Sequence, residues 1–209
     1  TTPYVSYIDY WPGTTDNPAL WFYGNTAVVQ QVLSTPLTGV YSIEFDVVTD
    51  SSALAGPEYY GMVGDFAHRV EGFGLRTNAA GVQIIQAWSD VTTAGLSNAT
   101  WIPGEEMHFK IVTDLNTQTY DVYATSNGDY KQWIQYLDNV KFRHSTLGPF
   151  DAVNTISFAS FSGDANGAID NVTLGSPFPD VAPGVMHADN FDTAALGDAH
   201  GTRQLRQFE

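Results

Sequence analysis

The chain has 209 residues, with 23 acidic and only 8 basic side chains, a formal net charge of −15 and no cysteine. Such an acidic balance does not suit nucleic acid or an anionic membrane surface, since neutralising phosphate needs Lys and Arg. The missing thiols exclude disulfides, thiolate zinc sites and thiol catalysis.

Hydrophobic residues at 43% supply a full core, and no stretch is apolar enough for membrane insertion. The 19 Gly and 10 Pro are spread along the chain, as many strands joined by turns require. The start, Thr1-Thr2-Pro3, reads as that of a processed product. A dense, turn-rich aromatic cluster follows at Tyr4, Tyr7, Tyr10, Trp11, Trp21 and Tyr23.

Residues 27–33 and 40–49 are rich in β-branched and aromatic types. In the second run Tyr41, Ile43, Phe45 and Val47 share one face while Ser42, Glu44 and Asp46 share the other, which predicts a half-buried strand. Segments 59–66, 70–76 and 82–88 read as strands separated by glycine-containing turns. Residues 108–114 and 119–125 alternate again, and 115–118 is a short hairpin connection. The stretch 131–144 fits either a short helix or a strand with a loop. Residues 154–161 and 168–174 complete the set. Regular short strands of this kind predict one all-β domain over 1–175, a two-sheet antiparallel sandwich of jelly-roll type. Residues 176–184 read as a Pro/Gly linker, and 185–209 as a strand-like tail too small for its own core, docking on its own or a neighbouring sandwich.

Three passages carry a family resemblance: 101–123 (WIPGEEMHFKIVTDLNTQTYDVY), 156–161, and Ile169-Asp170-Asn171-Val172. Together they resemble the concanavalin A-like, or laminin-G-like, sandwich domains of secreted bacterial proteins. The resemblance covers about residues 40–175 and implies an extracellular sandwich. It also implies a structural calcium near the closing strand, with Asp170 at the matching position and Asp9, Asp46 and Asp192 as possible partners. Members often begin with a strand like D-N-F-D. Here that pattern stands at Asp189, Asn190, Phe191 and Asp192, after the closing strand, which raises the expectation of strand exchange with another copy of the chain.

A glycan partner needs aromatic platforms with polar groups around them. The candidates are Trp11, Trp21, Tyr23, Tyr59, Tyr60, His68, Arg69 and Trp88, with core packing the competing role for any one ring. Trp101 belongs to the core by the resemblance. For catalysis, Glu44 and Asp46 form E-x-D without the third acid of the hydrolase pattern E-x-D-x-x-E. Tyr59, Tyr60, His68 and Arg69 could form a lyase set, though 8 basic residues argue against an acid-polysaccharide cleft. The leading expectation is a non-catalytic, extracellular carbohydrate-binding module. The alternatives are a structural subunit of a surface layer or filament, and a polysaccharide lyase or hydrolase.

Overall fold

Alternation of apolar and polar side chains builds the strands, and two sheets share their apolar sides. The computed structural model describes residues 5–10, 12, 14–23, 27–65, 67–89, 101–126, 134–160, 166–175, 187–189 and 203–204. The strands are β1 (Val5–Tyr10), β2 (Pro18–Tyr23), β3 (Ala27–Leu37), β4 (Val40–Thr49), β5 (Glu58–Met62), β6 (Phe73–Thr77), β7 (Gln83–Ala87), β8 (Glu106–Asp114), β9 (Thr119–Ser126), β10 (Ile134–Lys141), β11 (Val153–Ser160), β12 (Gly167–Gly175), β13 (His187–Asp189) and β14 (Arg203–Gln204). One sheet of eight strands runs β1-β2-β12-β4-β8-β9-β10, with β13 also on β12. The six-stranded sheet runs β14-β3-β11-β5-β6-β7. The β14–β3 pair is parallel.

Tyr41, Ile43, Phe45 and Val47 of β4 face the core, as the alternation predicts. Opposite them stand Tyr59, Phe73 and Phe158 of the six-stranded sheet. Phe45 meets Phe158 edge-on at 5.0 Å, and Phe73 lies 4.8 Å from Phe109. Each such ring contributes about 1.5–3 kcal/mol by leaving water, so this seam is the main source of sheet-to-sheet adhesion. Trp101 is buried in the same core, as expected.

The ambiguous stretch 131–144 contains β10, which pairs with β9 through two register shifts. These irregularities, with Asn139 at φ 51°, interrupt the period of two and hide the strand from a pattern reading. The 115–118 connection is the expected turn between β8 and β9.

Residues 70–72, expected to lie within a strand, instead cross into the core ahead of β6. Glu71 there is fully buried, with its Oε1 accepting hydrogen bonds from the Tyr41 hydroxyl and from Thr113 Oγ1 at 2.6 Å. Burial pushes its carboxyl above the usual range. The carboxylate lies flat on Gly61, where an added Cβ would stand 1.5 Å from Oε2, so only glycine fits beneath it. This contact and the Tyr120 hydroxyl, donating to the Gly72 carbonyl at 2.6 Å, fix where 69–72 leaves the core.

The 176–184 linker lies outside the described residues, as does most of the tail. The two described pieces of the tail, β13 and β14, pair with β12 and β3 of their own chain.

Candidate functional site

Because side chains alternate along a strand, the residues between the core positions form the outer faces. On the six-stranded sheet, β5 sends Tyr59 inward and Glu58 and Tyr60 outward. Likewise β6 sends Phe73 and Leu75 inward and Arg76 outward. Tyr60, Met62, Trp88 and Ala159 pack as a small cluster on this outer face. Gly74 makes room for it, since a Cβ there would stand 2.8 Å from Glu58 Cγ and 3.0 Å from the Trp88 indole.

Two loops bring cations to this cluster. After β5 the chain turns, and Asp65 Oδ1 accepts the Ala67 N–H and meets His68 Nδ1, both at 2.8 Å. It returns with an isolated bridge between Met62 and Arg69. Segment 143–144, after β10, then runs beside 69–70. Arg143 N–H donates to the Val70 carbonyl at 2.7 Å, and His144 N–H to the Arg69 carbonyl at 3.1 Å. In return Arg69 N–H donates to His144 Nδ1 at 3.0 Å. This main-chain ladder sets Arg69 and Arg143 side by side.

The result is an open pocket of about 180 Å³ lined by Glu58, Tyr60, Arg69, Arg76, Trp88 and Arg143. Tyr60 and Trp88 stack with centroids 6.2 Å apart. Arg69 covers the Tyr60 ring and Arg76 covers the Trp88 ring, each guanidinium carbon 4.8 Å from the centroid. Glu58, only 3% exposed, accepts the Tyr60 hydroxyl on one oxygen and the Arg76 guanidinium on the other. Burial, reinforced by the Glu58 charge, holds the Tyr60 phenol far above its ordinary range.

The outer face of the eight-stranded sheet carries a second polar cluster. Glu44 lies opposite Lys110, and Asp46 opposite His108, in the β4–β8 register. His108 contacts Asp46 through Nδ1 and Glu44 through Nε2 at 3.3 Å, while Lys110 meets Glu44 at 2.9 Å. At the β12 bulge Asn171, with φ 52°, donates its amide to Asp46 Oδ2 at 2.6 Å and its N–H to Asp170 Oδ1 at 2.7 Å. Burial pulls His108 down, but its hydrogen bonds to Asp46 and Glu44 outweigh that and hold the imidazole above its ordinary value. For Glu44, burial is outweighed by His108 and Lys110, and its carboxyl is lowered.

Of the expected glycan-binding residues, Tyr60, Arg69 and Trp88 come together in the pocket. Tyr59 does not, because the strand period turns it into the core against Phe158 at 5.5 Å. His68 is exposed on the turn and pairs with Asp65 instead. Trp21 and Tyr23 sit 6.0 Å apart on the eight-stranded sheet, Trp21 against Ala19, Val48 and Ala168. Trp11 lies outside the described residues, as do Asn190, Phe191 and Asp192. Asp189 is in β13, paired with Val172 of the same chain. Asp9, Asp46 and Asp170 all belong to the eight-stranded sheet. Among the described residues, no group of three or more His, Asp or Glu is arranged to hold a metal ion.

Sequence reasoning missed Glu58, Arg76 and Arg143. The first two carry a signal, since they alternate with core residues on their strands. Arg143 carries none.

No protein-family model matches the chain, and no curated protein matches it. Among solved structures it is similar to the catalytic domain of a glycoside hydrolase family 131 protein from Coprinopsis cinerea. That likeness has a TM-score of 0.54 and 12% identity, over 83% of this chain and 78% of the other. It is also similar to lectin I-B4 from Griffonia simplicifolia, with a TM-score of 0.50 and 10% identity, over 85% and 89% of the two chains. The fold is a β-sandwich of the kind that lectins and glycoside hydrolases share. At these identities the likeness speaks for the fold alone.

Proposed function

We propose that this protein is an extracellular carbohydrate-binding sandwich that uses the outer face of its six-stranded sheet and does not cleave its ligand. The observation that carries the reading is the pocket itself. It gathers three guanidinium groups, a carboxylate and two stacked rings at the surface of a lectin-like sandwich. Guanidinium N–H groups suit hydroxyl and carboxylate oxygens of a sugar, and each group offers five donors.

Two features favour binding over turnover. Glycoside hydrolysis uses a pair of carboxyl groups across the scissile bond, and Glu58 is the single acid lining the pocket among the described residues. Both its oxygens are already engaged. A lyase needs a base near neutral pH, but Tyr60 is held protonated, with its hydroxyl committed to Glu58. The other acids considered, Glu44 and Asp46, stand on the far sheet and are tied to Lys110, His108 and Asn171.

The test is a glycan array with the wild-type chain and Trp88→Phe, alongside a reducing-end assay on every glycan bound. The expected result is binding that weakens in the variant, with no new reducing ends. Failure to bind any glycan would sink the reading, and release of new ends would replace binding with hydrolysis.

A further inference from the structure

The whole chain has only 8 Lys and Arg against 23 Asp and Glu, yet Arg69, Arg76 and Arg143 all line one pocket. They arrive from a turn, a strand and a loop. Glu58, the one carboxylate of the lining among the described residues, is matched by Arg76. Among the described residues the lining therefore holds three positive charges against one negative. Arg143 forms no ion pair among the described residues. Burial holds the Arg69 guanidinium below its ordinary range; Tyr60 opposes this, repulsion from the neighbouring Arg143 cation adds to it, and Glu58 partly offsets that repulsion. An anion between them would relieve that repulsion and accept charge-assisted hydrogen bonds.

The rings argue in the same direction. A neutral sugar gains most from stacking on an open aromatic face. Here Trp88 is 8% exposed and Tyr60 3% exposed, and a guanidinium lies over each. The incoming ligand meets cations first. The net charge of −15 does not cancel this at the site, because screening at physiological ionic strength acts over about 8 Å. The volume of about 180 Å³ lies below the range of roughly 300–1,000 Å³ typical of drug-sized ligands, which suits one sugar residue or a chain end.

Resting on the carbohydrate-binding reading, we infer that this pocket selects an anionic sugar residue, its carboxylate or sulfate received at Arg143 and Arg69. The scarcity of basic residues, an argument against acidic polysaccharides in the sequence alone, becomes evidence for one when three of the eight meet in one place.

The experiment is calorimetric titration of the full chain with four probes: trigalacturonate, a sulfated galactose oligomer, neutral galactotriose and polyglutamate. One of the charged sugars should bind at least about tenfold tighter than galactotriose, the scale of a hydrogen bond to a charged group. Arg143→Gln should remove that advantage, and Arg143→Lys should retain part of it. Higher salt should weaken binding of the charged sugar only. The main-chain bonds of Arg143 survive both substitutions, and circular dichroism checks that each variant is folded. Which charged sugar binds separates a carboxylate from a sulfate ligand. If galactotriose binds as well as either, with no effect of Arg143→Gln, the anionic assignment falls and carbohydrate binding stands. If no sugar in these titrations or on the array binds, both fall. Equal binding of polyglutamate would overturn sugar selection in favour of a general anion patch.

Discussion

The two outer faces of the sandwich carry polar clusters built by the same alternation, yet they differ in how their charges close. On the eight-stranded sheet, two acids and two bases face each other across one strand pair, and the β12 bulge adds an amide donor to Asp46. On the six-stranded sheet, among the described residues, three guanidinium groups meet one carboxylate around an open pocket. A closed set of opposite charges on adjacent strands serves register and stability. An unbalanced set with room beside it suits a ligand.

The largest expected effect comes from opening the closed cluster. Asp46→Ala should cost about 3 kcal/mol, because it leaves His108 and Asn171 facing a buried vacancy. Urea denaturation would measure this, and glycan affinity should not change. Loss of affinity without loss of stability would reverse the roles assigned to the two faces. Opening the pocket should cost less. Glu58→Gln should destabilise by about 1–2 kcal/mol through weaker bonds to Tyr60 and Arg76, and should change sugar affinity as well. Tyr60→Phe should cost about 1 kcal/mol by the same measurement, since the ring stack is kept.

The closed cluster should also give the fold a pH signature. His108 is raised in the folded state, so its contribution is fully present below its unfolded value of about 6.5 and is lost as pH rises through the folded one. Glu44 is lowered, so its contribution is present above about 4.3 and is lost as pH falls through its folded value. Together they place the strongest contribution of the cluster between about pH 4.3 and 6.5. Melting temperature against pH should show the high-pH decline in the wild type and a flatter one in His108→Gln. An unchanged profile would remove His108 from the balance. The smallest expected effect is Trp21→Phe, which should leave glycan affinity as it is in the same titrations, because Trp21 is on the opposite side of the sandwich.

Much of the sandwich was legible in sequence because alternation is a local property. Tyr41 to Val47 showed both the core face and the polar face of β4, and 108–125 showed a hairpin. Local irregularity masks the rest. Two register shifts hid β10, and Glu71 broke the expected strand over 70–76 by turning into the core. The site was only partly legible. Tyr60, Arg69 and Trp88 stand out as chemistry-bearing types, but residue type alone does not separate Tyr59 from Tyr60, which the strand period sends to opposite faces.

By itself, the sequence determined which residues could lie inside each sheet and which could face outward, because the side-chain period of a strand is carried by neighbouring residues. Only the tertiary structure decided that Arg69, Arg76 and Arg143 share one pocket with Glu58 and Trp88. That meeting depends on strand order and on a main-chain ladder between 69–70 and 143–144, contacts between segments far apart in the chain that no local pattern encodes.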